Sequence, residues 1–279
     1  MIARFAAVLA ALLLLGACAA QSPSPRGGGS PYPYAPDQLV LRVAYSGGFV
    51  TPQVLASRLP LVSVYGDGRV LTEGPTPAIY PGPALPNVQV TRIEQSAVQD
   101  LVDAALAAGV GEDDDLGSPP VADAPSTLIV VSTGLETLRR EVYALQETPP
   151  DGGGLSAQQV AARKKLSELV DRLTSLAAGE SQGYAPTAVA GIVSPYTPDD
   201  DPMLAQPDQP WPGPDLPGEP LPGLTGLSCV VATGDQATAV LAAAGTGNAL
   251  TPWVTPDGGR WSVTFRPLLP DESGCSDLA

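Results

Sequence analysis

The chain contains no histidine and only two lysines, Lys164 and Lys165. Without an imidazole, Ser-His-Asp and Cys-His catalysis are excluded, and so is any zinc site that uses histidine. A Ser-Lys dyad would have to draw on Lys164 or Lys165, and both fall on a strongly helical stretch where they read as an exposed charged face. Cations are scarce overall: 14 Lys and Arg stand against 29 Asp and Glu, a formal charge of -15. An acidic chain with no basic stripe repels nucleic acid phosphates and anionic lipid head groups. No nucleic acid partner is expected, and any membrane attachment has to come from something other than the surface of the folded body. The longest apolar run, Phe5 to Leu15, has 11 residues, well short of the roughly 20 that a spanning helix needs.

That short run is nonetheless informative. Arg4 precedes it as a positive n-region, and Leu15-Gly16-Ala17-Cys18 follows it. This layout is a secretory signal over residues 1–17 ending in a lipobox: an aliphatic residue, two small residues and a cysteine whose thiol can be alkylated into a stable thioether. The expectation is cleavage before Cys18, a diacylglyceryl group and acyl chains such as palmitate on that residue, and anchoring on the extracytoplasmic face of a cell membrane. Two or more acyl chains, at roughly 0.8 kcal/mol per buried CH₂, give stable attachment. Loss of Arg4 with the signal takes the charge from -15 to -16. Residues 18–38, rich in proline, glycine and serine, read as a tether. Tyr32 and Tyr34 are expected to be exposed within it.

Residues 39–279 carry the folded body. Leu39 to Tyr45 alternates as a strand, with Leu39, Leu41, Val43 and Tyr45 on one face. The segments 61–65 and 69–72 flank Gly66-Asp67-Gly68, and 250–254 and 260–266 flank Pro256-Asp257-Gly258-Gly259. Both pairs are hairpin patterns. Trp261, Val263 and Phe265 share a face, with Trp253 beside them. A sugar-stacking platform is one use for the two tryptophans and core packing is the plainer one. Further strands are expected at 127–131, 138–145, 188–193 and 228–232. Thr91 with Glu94, Ser156 with Gln159 and Thr233 with Gln236 have capping-box spacing. They predict three helices, the strongest over 155–178. The architecture expected is α+β: short, largely antiparallel strands and hairpins packed with about three helices. Two subdomains, about 39–150 and 180–279 with helix 155–178 between them, are compatible with this pattern. The acidic, proline-rich segment 195–222 should wrap the surface or stay mobile.

With Cys18 lipidated, Cys229 and Cys275 remain. An even pair in an exported domain favours a disulfide over two free thiols, closing a loop of about 46 residues worth roughly 4 kcal/mol. Asp113-Asp114-Asp115 and Asp199-Asp200-Asp201 lack the alternating ligands and distal glutamate of a calcium loop and read as solvated acidic loops. Gly152-Gly153-Gly154 lacks the lysine of a phosphate-binding loop. Arg266 could bind an anion, or pair with Asp271 or Glu272. No catalytic, cofactor-binding or metal-ligating set emerges.

Four runs also resemble a group of exported actinobacterial lipoproteins to which no activity is assigned. They are Leu59-Pro60 through Val64-Tyr65-Gly66-Asp67-Gly68-Arg69-Val70; Tyr80-Pro81-Gly82-Pro83; Ala122-Asp123-Ala124-Pro125-Ser126-Thr127; and Arg266-Pro267-Leu268-Leu269-Pro270-Asp271-Glu272 before Cys275. The resemblance spans about Leu39 to Cys275. It implies an envelope location and one coherent fold, and transfers no site. The expectation is therefore a lipid-anchored, non-enzymatic binding or scaffold module meeting an envelope protein or the cell wall. An envelope hydrolase acting on glycans through paired carboxylates and a small-molecule or metal carrier are the alternatives.

Overall fold

The computed structural model describes residues 34–149 and 152–278. The expected signal peptide, Cys18 and most of the tether lie outside the described residues. Among those described, the fold is mixed α+β, with two largely antiparallel sheets and four α-helices. The first sheet takes its strands from β1 (Leu39–Gly47), β2 (Val62–Tyr65), β3 (Arg69–Glu73), β4 (Val88–Arg92), β5 (Pro125–Ser132), β6 (Thr137–Tyr143) and β7 (Ser181–Gly183), in the order β6-β5-β1-β2-β3-β4-β7. The second uses β8 (Ala188–Pro195), β9 (Gln209–Pro210), β10 (Glu219–Pro220), β11 (Ser228–Thr233), β12 (Trp253–Val254) and β13 (Arg260–Pro267), in the order β10-β11-β8-β13-β12-β9. The β9–β12 pair is parallel. The helices are α1 (Pro52–Ser57), α2 (Gln95–Ala107), α3 (Ala157–Thr174) and α4 (Gly234–Ala244).

Strand β1 corrects the expected alternation. Its register with β2 shifts between Leu39 and Leu41, and such a bulge moves side chains on either side of it to opposite faces. Leu41 and Val43 point to the helices, whereas Leu39 packs with Tyr65, Leu71, Val88 and Val90 on the other side. The β2–β3 hairpin forms as its turn chemistry predicts. Gly68 adopts φ +81 and donates to the Tyr65 carbonyl at 3.0 Å. At Gly66 an added Cβ would sit 2.2 Å from the Ala35 carbonyl oxygen, because the entering chain lies directly on it. That entering chain includes Tyr34. It is not an exposed linker residue: it is 4% exposed, and its hydroxyl donates to the Ser132 carbonyl at 3.1 Å. The body therefore begins at least five residues before β1.

Helices α2 and α3 cover one face of the first sheet. Val98, Leu101, Val102 and Ala105 of α2 and Leu166, Leu169, Val170 and Leu173 of α3 bury against Val43, Val62, Val64 and Ile129. Each such large side chain contributes roughly 1.5–3 kcal/mol by leaving water. The Ser156–Gln159 capping box starts α3 as expected, and a short 3-10 turn at Ser175–Ala178 ends it. In chain order α3 lies between the strands of the two sheets, and its apolar face belongs to the core of the first. The other two boxes do not form. Thr91 is in β4, so α2 starts after Glu94 with no side-chain cap, and Thr233 precedes α4 without capping it.

The second sheet is covered on one face by α4 and on the other by Ala56 of α1 together with Leu221 and Leu227. Helix α1, only six residues long, was not anticipated. It leaves the first sheet after β1 and docks on the second. The segment 195–222 does wrap the surface, but it is anchored. Trp211 is 9% exposed, edge-on to Trp253 at 5.8 Å and stacked on Phe265 at 6.3 Å. Trp253 itself is 1% exposed, which makes it core rather than a sugar platform.

Candidate functional site

The second face of the first sheet is only partly covered. Over β2, β3 and β4 it packs through Tyr65, Leu71, Val88 and Val90 against Leu269. Over β1, β5 and β6 it floors a cavity of about 540 Å³ that opens to solvent. This lies within the roughly 300–1,000 Å³ range of small-molecule sites. Strand register builds the floor. Arg42 of β1 is opposite Val130 of β5, and Val130 is opposite Arg139 of β6. Two arginines thus project from one sheet face with a valine strand between them, their Cα atoms about 10 Å apart by two interstrand spacings. The next row inward places Ala44 opposite Leu128.

Helix α1 forms one wall. Thr51 caps it, its hydroxyl accepting from the Val54 amide, and Pro52 occupies the first turn, where its missing N–H costs nothing. The helix presents Leu55, and Arg58 follows at its end. Arg58 donates to the Gly47 carbonyl at 3.1 Å and pairs with no carboxylate among the described residues. Arg139 is exposed, and its side chain makes no hydrogen bond or ion pair with any described residue. Leu224 and Leu278 close the opposite side.

The remaining two arginines are neutralised. Arg42 donates to Asp271 at 2.8 Å, to Ser63 at 3.0 Å and to the Tyr65 hydroxyl at 3.3 Å, and Tyr65 donates to Asp271 at 2.6 Å. Arg266 donates to Glu272 at 2.8 Å, as their sequence proximity suggests, and the other Glu272 oxygen accepts from the Leu269 amide at 2.8 Å. The side chains of Arg266 and Glu272 are only 3% and 4% exposed. Burial alone would lower the Arg42 pKa, but Asp271, Tyr65 and Glu272 outweigh it and the net movement is upward. Burial pushes the Tyr65 phenol far above its ordinary value, against the pull of Arg42. All these carboxylates ride on the segment 268–278, which the Cys229–Cys275 disulfide ties to β11.

Among the described residues two carboxylates reach the cavity, Glu272 and Asp277. Glu272 is committed to a guanidinium and an amide. Asp277 is held below the usual carboxylate range, chiefly by the Ser273 amide, then by the Ser273 hydroxyl and the Gly274 amide. A general acid for glycoside cleavage needs a pKa moved the other way. The geometry suits holding an anion better than protonating a leaving group.

Other residues singled out in the sequence sit elsewhere. Lys164 and Lys165 are exposed on α3, and Lys164 pairs with Glu168 one turn on. The acidic loop 112–115 is not freely solvated. Buried Arg140 donates to the carbonyls of Glu112 and Asp114 and to the Asp114 carboxylate, while Asp115 accepts from Gly117 and Gln159. Asp199 and Asp201 each accept from a backbone amide two residues on. Among the described residues no group of three or more Cys, Asp or Glu is disposed to hold a metal ion, and no helix is long and apolar enough to cross a membrane. Comparison with models of protein families, with curated proteins and with solved structures gave no match to the chain.

Proposed function

We propose that this chain is a lipid-anchored protein of the extracytoplasmic face of a cell membrane, and that its folded body is a non-enzymatic binding module whose site is the cavity over β1, β5 and β6. The lipobox ending at Cys18 supports the anchor. The reading of the body rests on one observation. Four of the twelve arginines in an otherwise acidic chain, Arg42, Arg58, Arg139 and Arg266, converge on that cavity. Two of them, Arg58 and Arg139, pair with no carboxylate among the described residues. A concave site with apolar walls and a few polar groups is the usual form of a small-molecule pocket.

The anchor is tested by metabolic labelling with palmitate followed by membrane fractionation. Label and membrane association should both be lost in Cys18→Ser. The site is tested by native mass spectrometry of protein released gently from its own membranes. A non-covalent small-molecule adduct is expected in the native chain and should be absent from Leu128→Trp, in which an indole fills the floor. Turnover of a cell-wall glycan by the purified chain, abolished by Glu272→Gln, would replace binding with hydrolysis.

A further inference from the structure

We infer that the edge strand β6 pairs with β6 of a second copy of this chain, antiparallel about a two-fold axis at Arg140, so that Arg139 of each copy faces Glu141 of the partner subunit. This contact goes beyond the cavity reading and does not rest on it. Main-chain parity is the first argument. Strand β6 ends the first sheet, and among the described residues β5 alone pairs with it. The Ala144 amide donates to the Pro125 carbonyl and the Thr133 amide to the Glu136 carbonyl, each at 3.0 Å. Hydrogen-bonded pairs recur at every second residue of an antiparallel ladder, so Leu138, Arg140 and Val142 turn their main-chain groups toward β5. Thr137, Arg139 and Glu141 turn theirs outward, where they meet no partner among the described residues. Such a row of N–H and C=O groups is a template for another strand.

Charge is the second. By the period of two, Arg139 and Glu141 also share a side-chain face, and both are exposed. Glu141 accepts from the Ser46 hydroxyl at 2.7 Å through one oxygen, and its other oxygen meets no described donor. Outward-facing residues bond only to outward-facing residues, so the allowed registers differ by steps of two. One step in one direction sets Arg139 opposite Arg139, and one step in the other sets Glu141 opposite Glu141. Between them lies the register centred on Arg140. It sets arginine opposite glutamate twice over, and each of these pairs exchanges two main-chain bonds. A two-fold contact requires this self-complementarity. Charges on an edge strand commonly keep other strands away. Here the two signs are spaced so that one register attracts and its neighbours repel. On the opposite face Arg140 meets its own copy at the axis, each guanidinium already held by Asp114. The acidic loops 112–115 approach one another there, and salt has to screen them. Arg139 lines the cavity, so the second copy adds a wall and a carboxylate at its rim.

The test is the mass of the full chain in mild detergent at physiological ionic strength, measured by light scattering over a dilution series. A dimer is expected. Arg139→Glu and Glu141→Arg each turn two attractions into two repulsions, and each should raise the dissociation constant at least about tenfold. Mixing the two variants should restore a dimer, because one copy then carries two acids on the edge and the other two bases. A misfolded variant would not be rescued in this way, and two copies held only by a shared micelle would not respond to charge. Hydrogen exchange is the second readout. The Arg139 and Glu141 amides should exchange at least about tenfold more slowly in the native chain than in either variant alone, while the inward-facing Arg140 and Val142 amides stay slow in all. A native chain that is monomeric at every concentration would overturn the inference. So would a dimer that both variants leave intact, or one in which the Arg139 and Glu141 amides exchange freely. A mixture of the variants that stays monomeric would overturn the register.

Discussion

Arg163→Met should be among the most damaging single changes in the chain. Arg163 is 2% exposed on the buried face of α3. Its guanidinium donates to the carbonyls of Tyr143 and Ala144 at 2.7 Å each, to the Thr148 hydroxyl at 2.9 and 3.1 Å, and to the carbonyls of Leu116 and Gly117 at 3.3 and 3.4 Å. It thus gathers the end of β6, the loop after it and the loop after α2 around one helix residue. It has no ion-pair partner among the described residues. Burial pulls its pKa down, with distant Glu147 acting against this. Ala144, held at φ +48, turns its carbonyl into this cluster. Methionine keeps the apolar stem and removes every donor. The Tyr143 carbonyl then loses its guanidinium donor and the Ala144 carbonyl keeps only the Thr148 hydroxyl, at about 1–3 kcal/mol for each unmet bond, offset by relief from burying a charge. The net loss expected is about 3–5 kcal/mol. Urea unfolding followed by far-UV circular dichroism measures it, as a lower midpoint at unchanged slope. Arg163→Lys should restore less than half, because one ammonium cannot serve three segments in a plane. A loss under about 1 kcal/mol would refute the reasoning and mean that water enters to take over these acceptors.

Removing the disulfide with Cys275→Ser should cost roughly 4 kcal/mol from the freed 46-residue loop, read as the difference between native and reduced protein in the same urea experiment; an unchanged midpoint would contradict a closed loop in the native state. Alkaline stability should fall between about pH 10 and 12. Burial pushes Tyr184 up to about 12 and moves Tyr65 in the same direction. Folding therefore favours the protonated phenols, and their contribution is complete below the unfolded value of about 10 and lost as pH rises through the folded one. Tyr184→Phe should flatten that decline, followed by unfolding midpoints across the range with phenolate absorbance as the monitor. A decline of unchanged slope in Tyr184→Phe would sink the assignment.

Features governed by local chemistry were legible in the sequence. Gly66-Asp67-Gly68 and Pro256-Asp257-Gly258-Gly259 turn where their φ preferences require. Ser156 and Gln159 satisfy orphan amides within one turn, and counting cysteines paired Cys229 with Cys275. Features decided by distant packing were not. Helix α1 is too short to show a period, and only Thr51-Pro52 hints at it. The bulge at Leu39–Leu41 is invisible without β2 beside it. Tyr34 and Trp211 sit in stretches whose composition suggests exposure, and only the partners Ser132 and Phe265 explain their burial. The cavity was hidden for the same reason. Arg42 and Arg139 could be seen as charges interrupting apolar strands, but their alignment through Val130 depends on a strand order that brings β5 between β1 and β6.

The bond between Arg42 and Asp271 spans 229 residues, and that gives the cavity a birth date. Chains are made from the N-terminus at about 5–20 residues per second, so Arg42 waits on the order of ten to fifty seconds for its carboxylate. Through that interval the floor strands can pair, but the segment that neutralises Arg42 and Arg266 has not yet been made. For most of that interval Arg42 faces the unfinished hollow without Asp271, and Arg266 does not yet exist. Only when residues 268–278 arrive and Cys275 meets Cys229 are Arg42 and Arg266 paired with Asp271 and Glu272. A stretch synthesised long after the first strand thus sets the charge that this strand presents.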